Sequence, residues 1–85
     1  MSVTVHVRMH DSDRDFHRIH NFGEALYRLF KDDRDASMPL GQIDDMEFFI
    51  TVKGKRRVRR IIEKIEALLG EHFMYADIAI RGADD

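Results

Sequence analysis

The sequence contains no cysteine. The chain therefore has no thiols for a disulfide or a thiolate metal site, and it fits a reducing compartment. Long apolar runs are also missing, since no stretch approaches the roughly 18 residues of a membrane-spanning helix. The N-terminus alternates polar and apolar residues and lacks the hydrophobic block of a signal peptide. We therefore expect a cytoplasmic protein without membrane contact.

Motifs of enzymes are missing as well. There is no cysteine nucleophile, no G-x-S-x-G motif around any of the three serines (Ser2, Ser12 and Ser37), and no G-x-x-x-x-G-K-[ST] phosphate-binding loop. These absences exclude the common forms of nucleophilic catalysis and nucleotide hydrolysis. We expect a protein that is not an enzyme and that carries no cofactor.

The size and composition are those of one globular domain. The chain has 85 residues, of which 44% are hydrophobic and 35% charged. This length has room for a single core shared by a few helices and strands. We expect one α+β domain over residues 1–82, followed by a frayed acidic tail at residues 83–85. The net charge of −2 does not by itself indicate binding to nucleic acid or to a membrane.

Alternating apolar residues predict the strands. Residues 3–9, 46–53 and 73–81 each place apolar side chains at every second position, which is typical of half-buried strands. In the last of these, the predicted apolar face consists of Met74, Ala76, Ile78 and Ile80. Residues 40–43 are a candidate short strand that turns back at residues 44–45, whereas residues 32–41 otherwise resemble a loop.

Apolar residues at helical spacing predict the first helix within residues 12–33. Ser12 with Asp15 resembles a capping box, and Asn21 with Glu24 is a second candidate start. The predicted buried stripe consists of Ile19, Phe22, Leu26, Leu29 and Phe30.

The second helix is predicted over residues 55–70, where the apolar stripe is unbroken. Gly54 is the expected N-cap, and Gly70 is the expected glycine at the C-terminus. The stripe consists of Val58, Ile61, Ile62, Ile65, Leu68 and Leu69.

The order strand, helix, strand, strand, helix, strand predicts a two-layer α+β sandwich. The split βαβ, ferredoxin-like arrangement would have a four-stranded, mainly antiparallel sheet with both helices on one face. Right-handed crossovers would place the first and third strands in the middle. Without the hairpin at residues 44–45, a three-stranded βαβαβ sheet is the alternative.

The open face of this sheet is the first candidate site. It would expose three aromatic side chains, which is more than solubility requires. They are interpreted as a small cluster, a homodimer or partner contact, or a platform on which bases stack. The candidate contact residues are His6, Arg8, Phe49, Thr51, Phe73 and Tyr75.

Two functional classes that share this fold fit the sequence poorly. The third strand of an RNA-recognition module has a basic residue, a glycine and alternating aromatics. Here the strand lacks the glycine and places Glu47 on the would-be RNA face, and the first strand offers His6 rather than Phe or Tyr. Small acylphosphatases need a glycine-rich anion loop after the first strand, but residues 9–13 are acidic and contain no glycine. These comparisons concern the fold alone.

A basic cluster at the start of the second helix is the second candidate site. Six of the 14 basic residues lie within residues 53–60, and none of the 16 acidic residues do. A helix N-terminus already carries partial positive charge, so adding cations there reduces stability. One interpretation is a solvated helix face that Glu63 partly neutralises. The other is a site that binds an acidic protein surface or phosphate. Its members are Lys53, Lys55, Arg56, Arg57, Arg59 and Arg60.

Four histidines in the first quarter of the chain raise the alternative of a metal site. His17 and His20 are three residues apart, and nearby carboxylates could add oxygen ligands for zinc or nickel. The spacing matches no metal-binding motif, so a metal site is not our leading prediction. The residues are His6, His10, His17 and His20, with Asp11, Asp13 and Asp15.

The sequence therefore favours a small interaction module of the adaptor, regulatory or immunity type. It would bind a protein partner or form a homodimer through the open sheet face or an exposed strand edge, and its basic helix start would meet an acidic surface. Nucleic-acid binding by the basic patch and the sheet aromatics is the alternative, and metal binding by the histidines is a further one.

Overall fold

A computed structural model describes residues 2–10, 15–38 and 46–82. The strands form one antiparallel sheet in the order β2-β3-β1-β4. This is the predicted ferredoxin-like sandwich with β1 and β3 at the centre, so the predicted fold class is confirmed. The elements in chain order are β1 (Val3–Met9), α1 (Phe16–Phe30), β2 (Ala36–Ser37), β3 (Glu47–Val52), a 3-10 turn (Lys55–Arg57), α2 (Val58–Glu71) and β4 (Ala76–Arg81).

Both helices cover the same face of the sheet. The alternation in β1 buries Val5 and Val7 completely, and each lies opposite an apolar residue on both neighbouring strands. From α1, Phe22 packs edge-on against Phe48, with ring centroids 5.9 Å apart. Ile61 of α2 is also fully buried in this core. The described residues leave the other face of the sheet uncovered, as predicted.

Asp15 starts α1. Its Oδ1 accepts hydrogen bonds from the backbone N–H groups of His17 (3.0 Å) and Arg18 (3.3 Å). The carboxylate thus satisfies two of the donors that a helix N-terminus leaves without partners. The alternative start at Asn21 is wrong, because Asn21 lies inside the helix. Ser12 lies outside the described residues.

The second strand differs from the prediction. It comprises Ala36 and Ser37, which pair with Val52 and Thr51, and it lies in the segment expected to be a loop. Two residues are too few to produce a recognisable alternation, which explains why the sequence pattern missed them. The strand predicted at residues 40–43, its turn at 44–45 and the tail at 83–85 lie outside the described residues.

The end of α2 also differs from the prediction. Gly70 lies within the helix, and the left-handed residue is Phe73, with φ of 54°. The Phe73 N–H donates to the Gly70 carbonyl (3.2 Å) and the Met74 N–H to the Leu69 carbonyl (3.0 Å), which is a Schellman closure. Leu69 and Met74 are both buried, so the position of the core, rather than the glycine, determines where the helix ends.

The start of the second helical segment agrees better with the sequence. Gly54 has φ of 100° and caps the 3-10 turn that leads into α2. In the described ranges, no helix combines the length and the apolarity that crossing a membrane requires.

Candidate interaction surface

The open sheet face is mainly polar. Its residues form three rows that run across β3, β1 and β4. Two of these rows carry charged side chains, and the middle row contains the aromatic residue Phe49. The rows consist of Thr51, Thr4 and Arg81; Phe49, His6 and Ala79; and Glu47, Arg8 and Asp77.

His6 is the exception on this face because it is only 8% exposed. The Phe49 ring lies parallel to the imidazole, with centroids 4.6 Å apart and a 2° interplanar angle. His6 Nε2 is 2.7 Å from Glu47 Oε1, and Nδ1 is 3.4 Å from Arg81 Nη2. Since arginine can only donate, Nδ1 accepts and Nε2–H donates to the carboxylate; these partners assign the tautomer. His6 therefore joins three strands rather than facing solvent.

The predicted aromatic platform is divided. Phe49 belongs to the middle row, whereas Tyr75 lies beside His10, with ring centroids 6.4 Å apart. The charged row through Arg8 lies between them, since His6 and His10 are four residues apart on β1, or about 13 Å. The structure therefore does not bring Phe49 together with Tyr75.

The basic cluster contacts carboxylates of its own chain. Arg57 Nε is 2.9 Å from Asp35 Oδ1, and Arg60 Nη2 is 2.9 Å from Asp35 Oδ2 and 3.4 Å from Asp33 Oδ1. Lys64 Nζ is 3.2 Å from Asp33 Oδ2. These ion pairs connect the first half of α2 to the α1–β2 loop. They offset the unfavourable placement of cations near a helix N-terminus.

Asp33 is the central carboxylate of this contact, and its side chain is 8% exposed. The pKa of Asp33 is lowered to about 2, mainly because the Asp35 backbone N–H donates to its Oδ1 at 2.8 Å. Arg60 and Lys64 lower the pKa further, whereas burial opposes them. The hydrogen bond with Asp33 in turn raises the pKa of Arg60. Asp33 is thus held as an anion.

The rest of the cluster is divided between a paired and an unpaired part. Arg59 Nε is 3.4 Å from Glu63 Oε2, the pairing expected from the four-residue spacing. In the part of the chain that the structure describes, Lys53, Lys55 and Arg56 have no ion-pair partner. Half of the predicted anion-binding set therefore remains available to an external ligand.

The histidines are dispersed. His10 Nε2 lies 3.3 Å from Asp77 Oδ1, and His20 Nε2 lies 3.4 Å from Glu24 Oε2. Among the described residues, no three histidine or carboxylate side chains are placed to hold a metal ion. Asp11 and Asp13, the other predicted oxygen ligands, lie outside those residues.

Three of the four large exposed apolar side chains among the described residues lie in β4 or in the three residues before it. Phe73 is 83% exposed, Tyr75 70% and Ile80 56%; Phe16, at the start of α1, is 69% exposed. The sequence placed Ile80 on the buried face, but burial decreases along this segment, from Met74 (4% exposed) through the partly buried Ala76 and Ile78 to the exposed Ile80. Sequence periodicity gives the face of a residue but not the distance to the opposing helix, so it could not predict this exposure.

A groove of about 620 Å³ lies beside Ile80, between α2 and β4. Its apolar lining is formed by Val3, Val58, Ile62 and Ile80. Its charged rim is asymmetric along α2, because the basic residues precede the acidic ones. The rim residues are Lys55, Arg59, Glu63 and Glu66.

The outer edge of β4 is open, since β4 pairs only with β1 among the described strands. The His10 N–H donates to the Tyr75 carbonyl at 3.2 Å. Hydrogen-bonded pairs alternate in an antiparallel ladder, so Asp77, Ala79 and Arg81 also face β1. The backbone N–H and C=O groups of Ile78 and Ile80 therefore point away from the sheet. Such an edge is a template for another strand.

Comparisons with known proteins do not assign a function to this chain. No protein-family model matches the chain, and no curated protein matches it. The function must therefore be argued from the surface itself.

Proposed function

We propose that the protein is a small, non-enzymatic interaction module that binds a protein partner through β4. The binding surface, called the β4 surface below, consists of Phe73, Tyr75 and Ile80 with the open backbone edge of β4. The observation that carries the proposal is the coincidence of exposed apolar side chains with an unpaired strand edge. Strand addition uses these two features together: the backbone supplies hydrogen bonds, and the side chains supply apolar contact.

The polar character of the open face supports β4 as the contact rather than the centre of the sheet. Phe49 is occupied by its contact with His6, and the neighbouring row is charged. The basic start of α2 would have a secondary role, in which Lys53, Lys55 and Arg56 attract an acidic partner. Long-range attraction of this kind raises association rates more than it raises affinity.

The test is affinity capture from the native host, followed by reconstitution of the complex from purified components. We expect the substitution Ile80→Ser to weaken binding at least about tenfold, because Ile80 is a 56% exposed apolar side chain next to the open edge of β4. Phe49→Leu is the matched control, because it changes an aromatic of the open face but keeps an apolar cover over His6. If Phe49→Leu weakened binding and Ile80→Ser did not, the β4 surface would be the wrong site.

A further inference from the structure

We propose that the partner is a second copy of this chain, joined by antiparallel pairing of β4 with β4. This inference rests on the proposed function and names its partner. The two-fold axis would pass beside Ala79 of each chain. The product is a continuous eight-stranded sheet with four helices on one face.

The backbone geometry allows this register. With the axis at Ala79, Ile78 of one chain lies opposite Ile80 of the other. Both residues direct their N–H and C=O groups to the open edge, as the ladder with β1 shows. The two Ile78–Ile80 pairs can therefore exchange four backbone hydrogen bonds, while the Ala79 pair at the axis brings small side chains together.

The charges select this register. Asp77 of one chain lies opposite Arg81 of the other, twice per dimer, in the pairs where antiparallel strands bring side chains closest. Within one chain the two residues are four positions apart on the same strand, about 13 Å, so they do not neutralise each other. An axis at Ile78 would place Asp77 opposite Ala79 and would not bring Asp77 and Arg81 together across the interface.

The groove and its rim fit the same symmetry. Ile78 and Ile80 lie on the helix-covered side, so pairing the edges brings the grooves of the two copies to the same interface. The two α2 helices then run antiparallel on either side of it. The basic end of each rim, at Lys55 and Arg59, faces the acidic end of the other, at Glu63 and Glu66. The surface is thus complementary to itself in both shape and charge.

Light scattering tests the assembly. We expect the native chain to show twice the 10.0 kDa of one copy. Arg81→Asp and Asp77→Arg each place like charges opposite each other at both ends, and each should raise the dissociation constant at least about tenfold. The double exchange Asp77→Arg/Arg81→Asp should restore the dimer. Restoration would show that the two side chains pair between copies, because they cannot contact each other within one chain.

Hydrogen exchange tests the register. The Ile78 and Ile80 amides should exchange more slowly as protein concentration rises, whereas the Ala79 amide, bonded to β1, should not depend on it. Ile80→Pro removes an outward N–H without removing a β1 bond, so it should give a folded monomer. Thr51→Arg adds a charge on β3, away from this edge, and should remain a dimer.

Two results would overturn the inference, with different consequences. In the first, the native chain stays at 10.0 kDa, and a purified partner binds it but does not bind the Ile80→Pro variant. This result would reject the homodimer but retain the interaction module. A dimer that tolerates both single charge changes and Ile80→Pro would place self-association elsewhere and would also remove β4 as the proposed binding surface.

Discussion

At the scale of single residues, several polar side chains hold the fold together. His6 connects β1 to β3 and β4, and Asp33 connects the α1–β2 loop to α2. Arg18 has a similar role, since its Nη2 donates to the His72 and Phe73 carbonyls at 2.7 and 3.0 Å. Phe73 is different, because its ring contributes little to the core and its backbone is strained.

Phe73→Gly should stabilise the fold. A left-handed conformation costs an L-residue about 1–2 kcal/mol, and glycine recovers this cost less its greater entropy in the unfolded chain. We expect the free energy of unfolding to rise by roughly 0.5–1 kcal/mol, measured by denaturant titration. Phe73→Ala removes the ring but keeps the strained backbone, so it should leave the free energy of unfolding nearly unchanged. A destabilised glycine variant would show that the aromatic ring itself supports the fold.

Asp33→Asn should destabilise the fold in a pH-dependent manner. The pKa of Asp33 is lowered from 3.8 to about 2, so its contribution is fully present above pH 3.8 and is lost as the pH falls through 2. Allowing for solvent screening of Arg60 and Lys64, we expect a loss of roughly 1–2 kcal/mol at neutral pH. The difference from the native chain should shrink progressively below pH 4, measured by thermal unfolding.

Asp32→Asn is the matched control for this charge removal. Asp32 is exposed and directly precedes Asp33, so its substitution should change stability by less than about 0.5 kcal/mol. An equal effect of the two substitutions would indicate general electrostatics rather than the Asp33 contacts.

At the scale of elements, α2 shows how tertiary contacts set helix boundaries. Its start follows Gly54, whose positive φ redirects the chain after β3. Its end follows the burial of Leu69 and Met74, with Arg18 of α1 binding the terminal carbonyls. The two glycines that flank the predicted helix therefore have unequal roles.

Alanine substitutions of these glycines should have opposite effects. Gly54→Ala should cost about 1 kcal/mol or more, because alanine resists φ of 100°. Gly70→Ala should stabilise by about 0.5–1 kcal/mol, since the position is helical and an added Cβ meets nothing within 4 Å. Denaturant titration of the two variants measures both. Destabilisation by Gly70→Ala would contradict the helix end described here.

At the scale of the whole molecule, the basic cluster and the exposed apolar side chains meet at the groove beside Ile80, whose rim includes Lys55 and Arg59. The basic cluster lies at the start of α2 and is partly neutralised by the α1–β2 loop, whereas the exposed apolar side chains surround β4. We proposed a protein partner rather than a polyanion because the α1–β2 loop neutralises part of the basic cluster. The same ion pairs limit the number of cations in the cluster that could bind a nucleic acid.

Binding to duplex DNA or heparin should depend only weakly on salt. With Lys53, Lys55 and Arg56 as the unpaired cations of the cluster, we expect a slope of log K against log salt no steeper than about −3. The variant Asp33→Asn/Asp35→Asn frees further cations and should steepen the slope. Asp32→Asn/Asp77→Asn changes the net charge equally and serves as the control. A native slope near −6 would restore nucleic-acid binding as the leading function.

The alternation in β1, β3 and β4 and the helical stripes predicted the architecture because each element needs only its own residues to display its period. The two-residue β2 and the helix end at Phe73 escaped prediction because a two-residue strand has no period and a Schellman closure depends on core contacts. The ion pairs of Asp33 and Asp35 were not predicted either. The sequence does contain a pattern that indicates them: two acids on either side of Arg34, and cations at helical spacing in α2.

The sequence alone therefore determined the order of the elements, the faces of the sheet and the absence of thiol chemistry, since periodicity and composition are local properties. Tertiary structure decided which of these features is available to a partner. It paired half of the basic cluster internally, covered His6 with Phe49, and left Ile80 and the edge of β4 exposed. Those outcomes depend on distances between segments far apart in the chain, which no local pattern encodes.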